Sequence, residues 1–400
     1  MPSFWKTRPF WALALGLFIN AFVYGVAAVA LNWIPHRGWI PTVLLLWSPL
    51  VLSLGIVCGG WLADRLGRRA LLLGGPWGYI GGAMVLLAGP GLFSALIGSG
   101  LLIMTAGLES NTILTYSQEL MPEGTKRPAM YAELNFVNLG GLALAALAFF
   151  SHRWGTIMLR RSTALLPIAL ALLSLWLRLP LRESSLWELS QRRLERVGVP
   201  VDHGLRVAVA IIFSFSNTAG FSLLTYALGI EFLPQHFHHL LLVSTTTSFL
   251  TGLAARWLGQ VSARVILLAG YGMAFASALA LVYIERPGHP GFWPVLFILS
   301  AFTSMSYLAE DTFKSDEWPS GIRSRMIAVV RVGGLLAYAL LLLASQGAPV
   351  KHFLVIIAGV WGLGFLASVI WLLAHLPFFK NQNAVSIVRI CDRLRRTKLR

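Results

Sequence analysis

The feature that most limits this chain is the repetition of apolar runs along nearly its whole length. Runs of 18 or more residues recur, each long enough for a hydrocarbon core of about 30 Å. An unpaired backbone group in lipid costs several kcal/mol, so each run must be an α-helix. Charges, prolines and glycine-rich breaks divide the sequence into twelve spans, near 10–32, 40–63, 71–89, 92–117, 127–150, 162–180, 206–230, 239–258, 265–284, 292–313, 326–346 and 352–375. Only 12% of residues are charged, against about 25% in soluble domains. The fold class is an all-α membrane protein. The first run follows Lys6 and Arg8 and is longer than the apolar region of a signal peptide, so it reads as a retained first helix.

The net charge of +16 invites a nucleic-acid reading, but its placement answers a different need. Of the 32 Lys and Arg, only Arg37, Arg153, Arg160, Arg161, Arg286 and Lys351 fall on the side opposite the N-terminus, and only Arg331 falls within a span. Basic residues gather on the cytoplasmic side of membrane helices, which puts both termini in the cytoplasm of a cell membrane protein. Nucleic acid is thereby disfavoured. Cys58 and Cys391 form no disulfide framework or metal spacing.

The two halves repeat. "WLADRLGRR" between spans two and three is answered by "AARWLGQVSAR" between spans eight and nine. Gly140-Gly141 maps onto Gly333-Gly334, and "EGTKRPAM" onto "SGIRSRM", in the same order and at nearly one offset. Paired six-helix repeats are a mark of transporters. The expected domains are an N-terminal bundle 1–180, a central cytoplasmic loop 181–205, a C-terminal bundle 206–375 and a basic tail 376–400. In the tail, Val385, Val388, Cys391 and Leu394 share a helical face flanked by Arg389, Arg393 and Arg396, the pattern of an interfacial helix on anionic lipid.

"GGWLADRLGRR", residues 59–69, resembles the signature loop of the major facilitator superfamily, Gly-x-Leu-Ala-Asp-Arg-x-Gly-Arg-Arg, and stands where that family carries it. The resemblance covers the whole chain. It implies twelve transmembrane helices in two pseudo-symmetric six-helix bundles, alternating access, a small-molecule substrate, no cofactor, no metal, no enzymatic activity and a monomer. It also implies a cytoplasmic latch: Gly60, Asp64, Arg65, Gly67, Arg68 and Arg69 of the loop, with Glu119, Arg127, Glu317 and Arg323 from "QELMPEGTKRP" and "SDEWPSGIRSR", and Glu183 from "LPLRESSLWEL". Those three stretches resemble sugar porters and metabolite–proton symporters. Helix five carries "NFVNLGG", without the proline of drug antiporters. Helix seven, "SNTAGFSLLTY", keeps Asn217, Gly220 and Tyr226 but has serines where hexose porters have amides.

Ionisable groups inside a membrane are functional candidates. Glu109 and Glu133 are the proton-carrier candidates, each with a structural pairing to a latch arginine as the alternative. Glu310 and Asp311 are expected at the end of helix ten, and Arg331 in the first turns of helix eleven. Candidate cavity residues are Asn20, Tyr24, Asn135, Asn138, Asn217, Phe221, Ser304 and Arg331. His236, His238 and His239, with Glu231 nearby, read as outer loop residues rather than a metal site. The function expected is proton-coupled symport of a small polar metabolite, with an organic anion among the candidates. Helix one has no acid, which keeps uniport or export of a drug or metabolite by the same fold as the alternative.

Overall fold

The computed structural model describes residues 6–31, 40–89, 91–121, 125–154, 156–192 and 203–374. The tail 376–400, the loop residue Pro122 and the second half of the central loop lie outside the described residues, as do the side chains of Glu231 and Arg256. The described residues hold twelve long helices and one short one: α1 (Arg8–Leu31), α2 (Ile40–Leu66), α3 (Arg68–Ala88), α4 (Leu92–Leu120), α5 (Lys126–Trp154), α6 (Thr156–Arg178), the short α7 (Ser185–Arg192), α8 (His203–Ser222), α9 (Phe237–Ala255), α10 (Ala263–Ile284), α11 (Phe292–Asp316), α12 (Arg323–Ala344) and α13 (Val350–Ala374). Eleven of them are long and apolar enough to cross a membrane. The exception, α9, carries the hydroxyl run Ser244-Thr245-Thr246-Thr247-Ser248, and Thr245 and Ser248 turn toward the molecule's central cavity. Beyond Ser222, α8 continues as a π-helical stretch, Leu223–Phe232.

The helices pack as two copies of one plan. α1 packs on α4, α5 and α6 as α8 packs on α11, α12 and α13; α3 packs on α4 and α6 as α10 packs on α11 and α13. The two bundles meet where α2 lies along α12 and α5 along α9, which are equivalent pairs under the same two-fold relation. Each Gly-Gly pair lies on the equivalent helix contact, though a different member of the pair makes the close approach. Gly140 of α5 sits against the Phe18 carbonyl of α1, and Gly334 of α12 against the backbone of Ser214 and Phe215 on α8.

Within lipid, helices gain by close packing at small residues rather than by hiding apolar surface from water. On α2, a Cβ at Gly55 or Gly59 would run into the backbone of Met104 or Leu108 on α4, and one at Gly107 of α4 into Leu52 and Ile56. The α2–α4 seam is therefore closed backbone to backbone. At the end of α2 the chain turns into α3 through Gly67 alone, at φ 95°. A side chain is disfavoured at that angle, and a Cβ there would also strike the Glu183 carboxylate.

The seam sets the first expectation. Gly59→Leu forces α2 off α4 at a cost of about 1–3 kcal/mol or more, lowering the melting temperature and the monodisperse yield in detergent. Gly74→Leu, at a position with open space around it, leaves both close to wild type in the same size-exclusion and thermal-unfolding assays.

Candidate functional site

At the charged end of the molecule, where α2 turns into α3, the bundles are tied by ions. Arg68 is fully buried. Its Nε and Nη2 donate to the Glu119 carboxylate at 3.3 and 3.1 Å, Nη1 to Asp64 at 3.1 Å and the Ala63 carbonyl at 2.7 Å, and Nη2 also to the Ser320 carbonyl at 2.8 Å. Ser320 belongs to the other half of the chain. Asp64 crosses the same boundary, accepting from the backbone N–H and Nε of Arg325 on α12, both at 3.1 Å. Around them Thr115 meets Ser324 at 2.8 Å, Gln118 donates to Asp316, and Arg323 lies 3.4 Å from Glu119. Gly60 leaves room for Ser324 and Ala328 of α12.

Glu183 takes another part. Its two oxygens accept the N–H groups of Arg68 and Arg69 at 2.9 and 3.0 Å, capping the first turn of α3. A carboxylate is well placed there, against the unpaired N–H groups and the dipole of a helix start. Arg69 itself donates to the Leu181 carbonyl, and α7 closes underneath through Trp187 and Gln191, which both donate to the Asp64 carbonyl. Three expected latch members stand elsewhere. Arg65 lies over the Trp61 ring at 3.8 Å, Arg127 is exposed at a polar cleft with Gln118 and Asp316, and Glu317 pairs with Arg206. Arg325 and Ser320 were not singled out from the sequence. Only the backbone path of the loop after α11 brings them under Asp64 and Arg68.

Glu109 lies three turns inside α4 and is fully buried in an ion pair with Arg178, the last residue of α6. The guanidinium also donates to the Leu72 and Ala12 carbonyls, so it binds α1, α3 and α4 to α6. Tyr79 donates to the second Glu109 oxygen at 3.2 Å and is hydrogen-bonded to Asn20, whose other side faces the cavity. The pairing expected with a latch arginine is thus made by Arg178 instead, a residue that reads in the sequence as one more charge flanking the central loop. Glu133 is buried and hydrogen-bonded to Ser117 of α4.

Between the bundles is a cavity of about 230 Å³ lined from both halves. Asn20, Tyr24, Asn138, Asn217, Phe221, Ser304 and Arg331 all reach it. Asn135 does not line it; its side chain supports Asn138 at 2.9 Å and the Phe249 carbonyl at 3.2 Å. Asn138 in turn joins Ser304 and the Ser248 carbonyl across the bundle boundary, and Asn217 donates to Ser306. At the end away from the charged cluster the walls converge through Tyr24, Tyr226 and Phe221, with ring centroids 6.3–6.5 Å apart. Glu310 and Asp311 lie inside α11 rather than at its end, since the helix runs on to Asp316. Both face the cavity with Lys314. His236 and His239 make ring contacts with Trp293 and Phe149.

No family model and no curated protein matches the sequence. Solved structures do match the fold. The proton:xylose symporter XylE of the major facilitator superfamily, bound to 6-bromo-6-deoxy-D-glucose, superposes with a TM-score of 0.74 at 16% identity over 90% of this chain and 94% of its own. The transporter FucP in its outward conformation gives 0.65 at 15% identity over 90% and 98%. The human organic anion transporter MFSD10 gives 0.67 at 13% identity over 90% and 99%. The chain has the major facilitator fold.

The inner pair allows a stability test. Glu109→Gln strands the buried Arg178 charge, and breaking one partner of such a pair costs about 3–5 kcal/mol. The double replacement Glu109→Leu with Arg178→Met removes both charges and recovers most of the loss. Thermal unfolding of the three purified proteins measures this, and equal loss in the single and double variants would show that the pair is not what holds α6 in place.

Proposed function

We propose that the protein is a secondary transporter that carries a small polar metabolite across a cell membrane by alternating access, driven by symport with protons. The observation that carries this reading is the placement of the cavity: it lies between two equivalent bundles, which are bridged at the charged end by the ion pairs Asp64–Arg325 and Glu119–Arg323 and by the hydrogen bond from Arg68 to the Ser320 carbonyl. Such pairs can hold one state and must part in the other. On this reading 1–180 and 206–375 are the rocking units, 181–205 is their tether, and the charged end faces the cytoplasm. The cavity is completed by a single chain, which supports function as a monomer.

An ionic gate suits this work because Asp64, Arg68 and Glu119 are dry when it is closed, and of their partners Arg325 is half exposed. Arg68 and Asp64 lose their cross-bundle partners only if those ends separate and water enters to solvate them. Ion pairs of this kind stabilise weakly on a surface, but buried ones discriminate between two packings. A substrate in this cavity touches walls from both halves, and binding between the bundles favours the occluded state through contacts that neither open state makes together.

The test uses the full chain in proteoliposomes, with labelled pyruvate, benzoate, D-xylose, alanine and choline offered in counterflow and under an inward proton gradient. The expected result is exchange of at least one class, accelerated by the gradient. A second readout is independent of substrate. In a background lacking Cys58 and Cys391, a reporter at Thr218→Cys in the cavity is shielded from the gated side. Asp64→Asn raises its labelling from that side by about tenfold, the change expected for an interaction worth about 1.4 kcal/mol. No exchange of any probe, together with unchanged labelling, would overturn the transporter reading.

A further inference from the structure

Four charges meet the cavity, all from α11 and α12. Lys314 Nζ lies 2.6 Å from Glu310 and 2.6 Å from Asp311, so one ammonium serves two carboxylates. All three side chains are almost wholly buried. The fourth charge, Arg331, is different. Its Nη1 donates to Ser110 Oγ at 2.7 Å and Asn111 Oδ1 at 3.2 Å across the bundle boundary, both neutral acceptors, and among the described residues it has no carboxylate partner at ion-pair distance. The acids have their cation in contact; the arginine lies within the field of Glu310 but among the described residues has no anion in contact. Thr303, two turns before Glu310, is buried, lines the same cavity, and its hydroxyl has no partner among the described residues.

We propose that Glu310, Asp311, Lys314 and Arg331 form a combined proton and anion site, which takes one proton on the acid pair for each small monocarboxylate that binds at Arg331. This rests on the transporter reading and names its coupling group and substrate class.

The charge balance leads to it. With both acids ionised, two negative and two positive charges cancel, and a bound anion would leave the pocket with a net negative charge in a medium of low dielectric, where that is costly. One proton added to the acids leaves the pocket at +1, and a monoanion restores neutrality. The proton belongs to the pair rather than to either residue, since both share Lys314. Proton and anion then cross together with no net charge.

The other groups facing the acids do not alter this count. Tyr307 lies on α11 itself and hydrogen-bonds Asp311, and Tyr271 faces them from α10. The elements α4, α5, α8 and α9 bring the neutral side chains Ser110, Asn111, Asn138, Asn217 and Ser248 to this region. A zwitterion is disfavoured because its ammonium would compete with Lys314 for the same oxygens. A sugar would need several convergent hydrogen-bond partners, and Asn138 and Asn217 are already engaged with Ser304 and Ser306. The facing wall of Leu17, Ala21, Leu52, Leu114 and Val137 suits an apolar body behind the carboxylate.

The experiment uses benzoate as the anionic probe on the full chain. In detergent, benzoate raises the melting temperature of the wild type more at mildly acidic than at mildly alkaline pH. In proteoliposomes its uptake follows a pH gradient and ignores an imposed potassium-diffusion potential. Arg331→Gln weakens benzoate binding by about thirtyfold or more, the change expected when a charge loses its only partner. Glu310→Gln fixes the pocket at +1, so benzoate binding becomes independent of pH and uptake becomes sensitive to the potential. Asp311→Asn does the same, and Glu310→Asp restores the pH dependence, which separates the proposal from misfolding of one variant. Wild-type pH dependence in both neutralised variants would overturn it. Exchange of xylose, alanine or choline with benzoate excluded would overturn the anion assignment while leaving the transporter reading intact. Benzoate binding with this signature but no exchange of any probe would leave the site and remove the transporter reading.

Discussion

Arg68 is the residue on which the charged end of the molecule depends. A guanidinium with no exposure to water must find an acceptor for every N–H or bear a large desolvation cost. Five donors are available to it and all five are used, on Ala63, Asp64, Glu119 and Ser320. That requirement fixes α4 against the α2–α3 turn and draws the loop after α11 from the other bundle to the same point. The turn must then be tight enough to aim the side chain inward, which only Gly67 at φ 95° allows. Glu183 follows from the same geometry, because the start of α3 presents N–H groups that the turn leaves without carbonyl partners.

The three buried cation clusters differ in what their partners leave free. Arg68 is saturated, and part of its saturation comes from the other bundle. Arg178 is paired with Glu109 within one bundle, so rocking of the bundles leaves that pair together. In the cavity Lys314 is committed to two acids, while Arg331 holds only neutral oxygens of the opposite bundle. A charge that is fully paired inside one rigid unit gives stiffness. A charge paired across the boundary gives a preference for one state. A charge with neutral neighbours facing a cavity is the kind that a ligand can satisfy.

Much of the fold was legible because lipid leaves so few choices. Apolar runs had to be helices, so twelve spans could be placed by length and charge alone, and the repeated Gly-Gly pairs marked equivalent helix contacts. The hydroxyl run in α9 falls in the eighth expected span; the helix is there, but unlike the other eleven it is not long and apolar enough to cross a membrane on those grounds alone. The charged cluster was half legible. Asp64, Arg68, Glu119 and Arg323 stand in a motif and do meet, but Arg65 and Arg127 carry the same charge and the same spacing and face outward. Which arginine points in is decided by helix phase at the turn, and a loop motif does not state it. Arg178 was missed for a related reason: a basic residue at the end of a span reads as a topology signal, and only the packing of α6 against α3 and α4 turns it toward Glu109.

The asymmetry of charge between the halves bears on how such a molecule can couple two ligands. The scaffold is two-fold, yet the first bundle keeps Glu109 in a locked pair behind Tyr79 and Asn20 and Glu133 on Ser117, both off the cavity wall, whereas the second presents Glu310, Asp311 and Lys314 directly to the cavity. Arg331, also from the second bundle, reaches over to Ser110 and Asn111 of the first. A ligand that takes Arg331 away from those residues therefore loosens a bond between the bundles while satisfying a charge within one of them. Energetically, a ligand shifts a two-state equilibrium only through contacts that differ between the states. In the proposed mechanism Arg331 would provide such a difference, and the acid pair beside it would set whether an anion can exploit it.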